Sequence, residues 1–162
     1  MASGGVSHCR TGYSPHMRSR ETYAGDRRVL VLVCDKGEEA MQTVTEAVRR
    51  HGIGAAQVTA VGGFQRGEVG YFDAQAREYS RIPVDGQVEV LSLVGDVAER
   101  DGQPEPHLHA VLGRRDGSTV GGHLLRGEVF PTLEVIITEV PPELGKRFDP
   151  ETGLALMDPG PS

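Results

Sequence analysis

One segment constrains this chain more than any other: His107-Leu108-His109, then a turn, then Gly121-Gly122-His123. Three of the six histidines lie in it. On a strand, residues i and i+2 point to one face, about 7 Å apart. An extended segment therefore sets His107 and His109 side by side. Between the elements, Arg114-Arg115-Asp116-Gly117-Ser118 is a turn signal. A three-residue loop, Arg115-Asp116-Gly117, with Gly117 in the left-handed conformation, sets Arg114 against Ser118 and His109 against His123. Facing residues of an antiparallel pair lie about 4.5–5.5 Å apart, so their imidazoles can share one ion. A two-residue Asp116-Gly117 loop instead turns His123 to the other face, unless a bulge at Gly121-Gly122 restores the parity.

Three imidazoles on one point suit a divalent metal such as zinc, and they leave a coordination position open for water or substrate. His107, His109 and His123 are thus the candidate ligands. Glu105 and Glu134 carry candidate accessory roles: fourth ligand, partner of a ligating imidazole, or general base. Glu105, between prolines, reads more simply as a solvated carboxylate. Glu134, on the closing strand, is the candidate catalytic residue if the site performs chemistry.

The rest of the chain reads as one compact α+β unit, a mostly antiparallel sheet with one main helix. Residues 38–51 carry the helical pattern, with Ala40, Met41, Val44, Ala47 and Val48 as the apolar stripe, Asp35 as a candidate cap and Gly52 as the stop. Val29 to Cys34 is a continuous apolar run typical of a buried strand. Strands follow at Ala55 to Val61, ended by Gly62-Gly63, and at Glu68 to Phe72 and Glu78 to Val84, a hairpin around residues 73–76. Gln87 to Val97 is a long strand with apolar residues on both faces. Val129 to Val140 closes the unit, stopped by Pro141-Pro142. Residues 1–27 read as a flexible leader, 28–157 as the domain and 158–162 as a tail.

At 162 residues the chain makes one domain with a sizeable core. Its net charge is −6. Five arginines against two carboxylates give residues 1–28 a net of +3, which leaves −9 for the remainder. Such an acidic body opposes a nucleic-acid surface, though a basic arm can touch one. No apolar run is long enough to span a membrane, and no secretory core opens the chain. Two cysteines, Cys9 and Cys34, make no disulfide framework and read as free thiols of a cytoplasmic protein. No phosphate loop, dinucleotide fingerprint or nucleophile elbow occurs.

The chain resembles the plants-and-prokaryotes-conserved (PPC) domain. The residues that carry the resemblance are Thr59-Ala60-Val61-Gly62-Gly63, Gly67 to Asp73, Val88 to Gly95, His107-Leu108-His109-Ala110, Gly121-Gly122-His123-Leu124 and Asp149-Pro150-Glu151-Thr152-Gly153-Leu154. The resemblance implies an α+β fold assembled as a homotrimer. It also implies a stand-alone prokaryotic type, with metal on His107, His109 and His123, and a DNA-binding role by analogy with plant members. No AT-hook core of Arg-Gly-Arg between prolines is present. Two function classes therefore stand: a metal-holding, self-associating binding or regulatory module that touches DNA or a protein, and a metal-dependent enzyme acting on a small substrate.

Overall fold

The structure is a computed structural model that describes residues 18–141, 145–158 and 160. Nine strands and one helix follow in the order β1 (Arg18–Ala24), β2 (Arg27–Asp35), α1 (Ala40–Arg50), β3 (Ala56–Asp73), β4 (Glu78–Val84), β5 (Val88–Arg100), β6 (Gln103–Gly113), β7 (Thr119–Glu139), β8 (Gly145–Phe148) and β9 (Ala155–Asp158). The fold is thus mostly β, and the α+β class expected from the sequence is corrected: a single 11-residue helix packs on a nine-stranded sheet. The excess of strand has a local cause. Gly62-Gly63, read as a strand end, lies within a longer strand, because β3 runs through it to Asp73, and β7 runs from Thr119 through Gly121-Gly122 to Glu139. Register shifts at Ala60/Gly62 and Gly62/Phe64 bend β3 there without ending it.

These bends let four strands close on themselves. β3 pairs with β5, β5 with β6, β6 with β7 and β7 with β3, all antiparallel. β4 extends the circuit beside β3, and β2 and then β1 beside β7. The inside holds Leu30, Leu32, Phe64, Leu93, Leu108, Leu112, Leu124, Leu133 and Ile137, all fully buried. α1 covers this core with Ala40, Val44, Ala47 and Val48. Each buried valine contributes roughly 1.5–3 kcal/mol. The helix is capped by Glu39, whose carboxylate accepts from the Met41 and Gln42 amides, rather than by Asp35. Asp35 ends β2 and holds Arg18 instead.

Two further expectations change. Residues 18–24 of the expected flexible leader form β1, paired with residues 27–33 of β2, while Cys9 and Arg10 lie outside the described residues. Two arginines at this end of the chain are engaged: Arg28 meets Glu21 at 2.8 Å and Glu139 at 3.6 Å, and Arg18 meets Asp35. The run Val29 to Cys34, read as wholly buried, buries only Leu30, Leu32 and Cys34 fully. Burial pushes the Cys34 thiol up to about 12, so it is inert. Val31 sits on the outer face, with Val61, Leu91, Val94, Val111 and Ile136, all exposed. No helix among the described residues is long and apolar enough to cross a membrane.

Gly95 is the tightest point of the β5–β6 pairing. A Cβ there meets the carbonyl oxygen of His107 at 1.9 Å, an impossible contact. Gly95→Ala must push β5 and β6 apart beside the first histidine. It is expected to cost about 1–3 kcal/mol or more, seen as a lower midpoint in denaturant unfolding. An unchanged midpoint contradicts this packing.

Candidate metal centre

The loop between β6 and β7 sets the register. Arg114 N–H donates to Ser118 O at 2.8 Å, Gly117 N–H donates to Arg114 O at 3.0 Å, and Gly117 has φ +83. Asp116 Oδ1 accepts from the Ser118 amide at 2.9 Å and from its hydroxyl at 2.7 Å. This is the three-residue loop, and counting back from it pairs His109 with His123. Leu108 and Ala110, pointing the other way, are buried in the core and anchor the strand from behind. The alternation that buries them turns His107 and His109 outward together.

Each of the three imidazoles offers one ring nitrogen within 4.8 Å of the others. Ring centroids lie 5.0 Å apart for His107–His109 and His107–His123, and 5.4 Å for His109–His123. The Nε2 atoms of His107 and His109 stand 3.2 Å apart. His123 stacks on Tyr79, with centroids 4.8 Å apart at 26°. Gly70, which pairs with His123, makes room for that ring, since a Cβ there meets Tyr79 at 2.8 Å.

The surroundings favour the neutral form of His109 and His123. Burial, and then the neighbouring His107 and His109, lower the His123 pKa to about 4. Burial, and then His107, lower that of His109. Neutral imidazole is the form that donates a lone pair to a metal. Nδ1 of His123 is buried without a hydrogen-bond partner, a donor or acceptor left over by the protein. These features fit a divalent ion.

Asp96 was missed by the sequence reading. It faces His107 across the β5–β6 pair, with Oδ2 3.4 Å from His107 Nδ1. A carboxylate behind one ring nitrogen fixes the tautomer and directs Nε2 to the centre. Its only sequence signal is a charge inside an apolar strand, and pairing alone reveals what it faces. Lys146 was missed as well. Its side chain is only 4% exposed, and its ammonium lies 3.8 Å from both Asp96 Oδ1 and Glu105 Oε1. Glu105 is therefore not simply solvated: it meets Arg100 at 3.4 Å, and its carbonyl accepts from Lys146 at 3.2 Å. Glu134 is not brought to the histidines. It pairs with Val33 and Val61 and lines a shallow outer depression with Leu91 and Ile136.

Comparison with known proteins follows this geometry. The Plants and Prokaryotes Conserved (PCC) domain matches residues 21–141. The chain belongs to this family. A plant- and prokaryote-conserved protein from Pyrococcus horikoshii is 30% identical, with a TM-score of 0.77 over 91% of this chain and 97% of that one. A metal-containing protein from Archaeoglobus fulgidus is also 30% identical, with a TM-score of 0.75 over 88% and 98%. A Bacteroides thetaiotaomicron protein, provisionally named for DNA binding, shares the fold at 20% identity, with a TM-score of 0.78 over 86% and 96%. No curated protein matches.

The low His123 pKa makes a stability prediction for metal-free protein. Unfolded, this imidazole takes a proton near its ordinary value of 6.5; folded, it waits until about 4. As pH falls from 6.5 to 4 the unfolded chain binds more protons, so stability falls across that window and levels off below it. His123→Gln is expected to flatten this part of the profile in thermal melts at stepped pH. An equally steep profile in the variant assigns the effect elsewhere.

Proposed function

We propose that this chain is a self-associating domain that holds one divalent ion, zinc by its donor set, on His107, His109 and His123. The observation that carries the reading is the convergence of three imidazoles, one with a buried nitrogen that no described residue satisfies. The 30% identical relative from Archaeoglobus fulgidus, a metal-containing protein, supports it. When bound, such an ion supplies a Lewis acid with a position open to a further ligand. The protein's own part is orientation. Asp96 holds His107, Tyr79 backs His123, and the β6–β7 pairing sets His109. Purified protein is expected to carry one ion per chain, and the triple variant His107→Ala, His109→Ala, His123→Ala none, by elemental analysis. Asp96→Asn keeps the ligands and is expected to weaken the metal about 10–100-fold in chelator competition. Equal metal content in the triple variant refutes the site.

Self-association is supported by the outer face. Across β6, β5, β3, β7 and β2, the row His109, Val94, Thr59, Ile136, Val31 runs in register on one side of the sheet. Val61 and Leu91 are each 55% exposed and Ile136 is 47% exposed. An apolar area of this kind on a sheet face marks an interaction surface. A homotrimer covers it and places the ion sites at the edge of the interface. Light scattering is expected to give three times the 17.4 kDa subunit, and Leu91→Asp to give monomers. A monomeric parent protein contradicts the assembly.

The role of this module is best read as binding or regulation in the cytoplasm rather than sequence recognition on DNA. Relatives from Bacteroides thetaiotaomicron and Ralstonia eutropha are provisionally named for DNA binding. Here the body is acidic, and Arg18 and Arg28 are spent on carboxylates. The whole chain is expected to leave duplex DNA free at physiological salt, with binding only at low salt. Tight binding that persists as salt rises speaks for the DNA role. The enzyme reading is favoured by one feature, a cleft that opens beside the histidines.

A further inference from the structure

The cleft lies between β6, β7 and the C-terminal β8–β9 hairpin. His107 and His123 form one wall, Pro106, Leu154 and Leu156 an apolar one, and Arg100 and Lys146 supply charge. Its volume is about 220 Å³. That is roughly seven times the 30 Å³ share of a liquid water, the size of a small organic molecule.

Lys146 is the unusual group. An ammonium has three N–H donors, and burying one without partners is costly. Here one donor reaches the Glu105 carbonyl at 3.2 Å. Both nearby carboxylates stand at 3.8 Å, beyond hydrogen-bond length. Among the described residues, two donors of a 96% buried cation are therefore unspent at the cleft. At its mouth, the Arg100 guanidinium makes only long contacts, 3.4 Å to Glu105 and 3.9 Å to Asp101. A guanidinium fork suits a carboxylate.

The formal charges of Arg100, Lys146, Asp96 and Glu105 cancel. A divalent ion on the histidines then makes the cleft positive. The apolar wall of Pro106, Leu154 and Leu156, with the Tyr79 ring beside it, asks for a ligand with an apolar body. We propose that this cleft binds a small organic acid, its carboxylate held by Lys146 and Arg100 and its apolar body laid on Pro106, Leu154 and Leu156. The inference deepens the metal reading and rests on it for the sign of the field. Lys146 also ties the hairpin to the site, since β8 otherwise meets the body by one parallel bridge, Glu99 to Gly145.

The test uses the full chain loaded with zinc, benzoate as probe, and neutral benzamide of the same shape as control, in titration calorimetry. Metal content is measured on the same samples, so a missing ion, which refutes the metal reading, is distinct from a missing benzoate signal. Benzoate is expected to bind, and benzamide about tenfold more weakly or worse, the loss of one charge-assisted contact. Lys146→Met is expected to lose benzoate binding by a similar factor while keeping its ion. Arg100→Gln, at an exposed side chain that leaves folding intact, is expected to lose a few-fold. Equal binding of benzoate and benzamide overturns the proposal. So does undiminished benzoate binding in both variants, or no benzoate heat with metal-loaded protein at millimolar probe.

Discussion

Everything at the site depends on one register, the pairing of β6 with β7. A side chain on a strand has only two directions, and a slip by one residue reverses every one of them. The loop Arg115-Asp116-Gly117 removes that freedom, because Gly117 takes the left-handed conformation, the Arg114 amide donates to the Ser118 carbonyl and the Arg114 carbonyl accepts from the Gly117 amide. His109 then meets His123, and Leu108 and Ala110 are driven into the core. Burial of those two residues is what holds the imidazoles outward, so the three-histidine cluster is a by-product of core packing rather than an addition to it.

The same logic joins the centre to the rest of the sheet. Closure of β3, β5, β6 and β7 into a circuit leaves an inside, filled by leucines, valines and Phe64, and an outside that is also apolar in places. His109 heads one row of that outside face and Ile136 lies three strands along it. A single surface thus carries both the ligand cluster and the proposed contact with further copies. Behind the cluster, Asp96 and Lys146 tie β5 and the C-terminal hairpin to it, and Lys146 lines the cleft that opens beside the histidines.

The sequence was most legible where one turn and one period of two decided the outcome. The histidine hairpin and the β3–β4 hairpin both follow from local chemistry, and the helix follows from its apolar stripe and the glycine after it. Legibility ended where distant strands meet. Asp96 has meaning only opposite His107, and Lys146 only beneath Glu105. Glu134 looked suitable by strand alternation, but β7 bends and runs on, which leaves it among Val33, Val61, Leu91 and Ile136. The class was misread for a related reason. Gly62-Gly63 permits a close approach to the carbonyls of Thr132 and Phe130 instead of ending a strand. The apolar run at Val29–Cys34 suggested burial on both faces, whereas only Leu30, Leu32 and Cys34 are fully buried and Val31 is exposed.

The central claim is that three imidazoles of one chain hold a divalent ion with a position to spare. X-ray absorption at the zinc edge of the purified, zinc-loaded protein reads this directly. The account predicts three nitrogen neighbours at about 2.0–2.1 Å with the multiple-scattering signature of imidazole, plus at least one oxygen neighbour without that signature. A shell with sulfur, with fewer than three imidazoles, or with four protein nitrogens and no open position contradicts it.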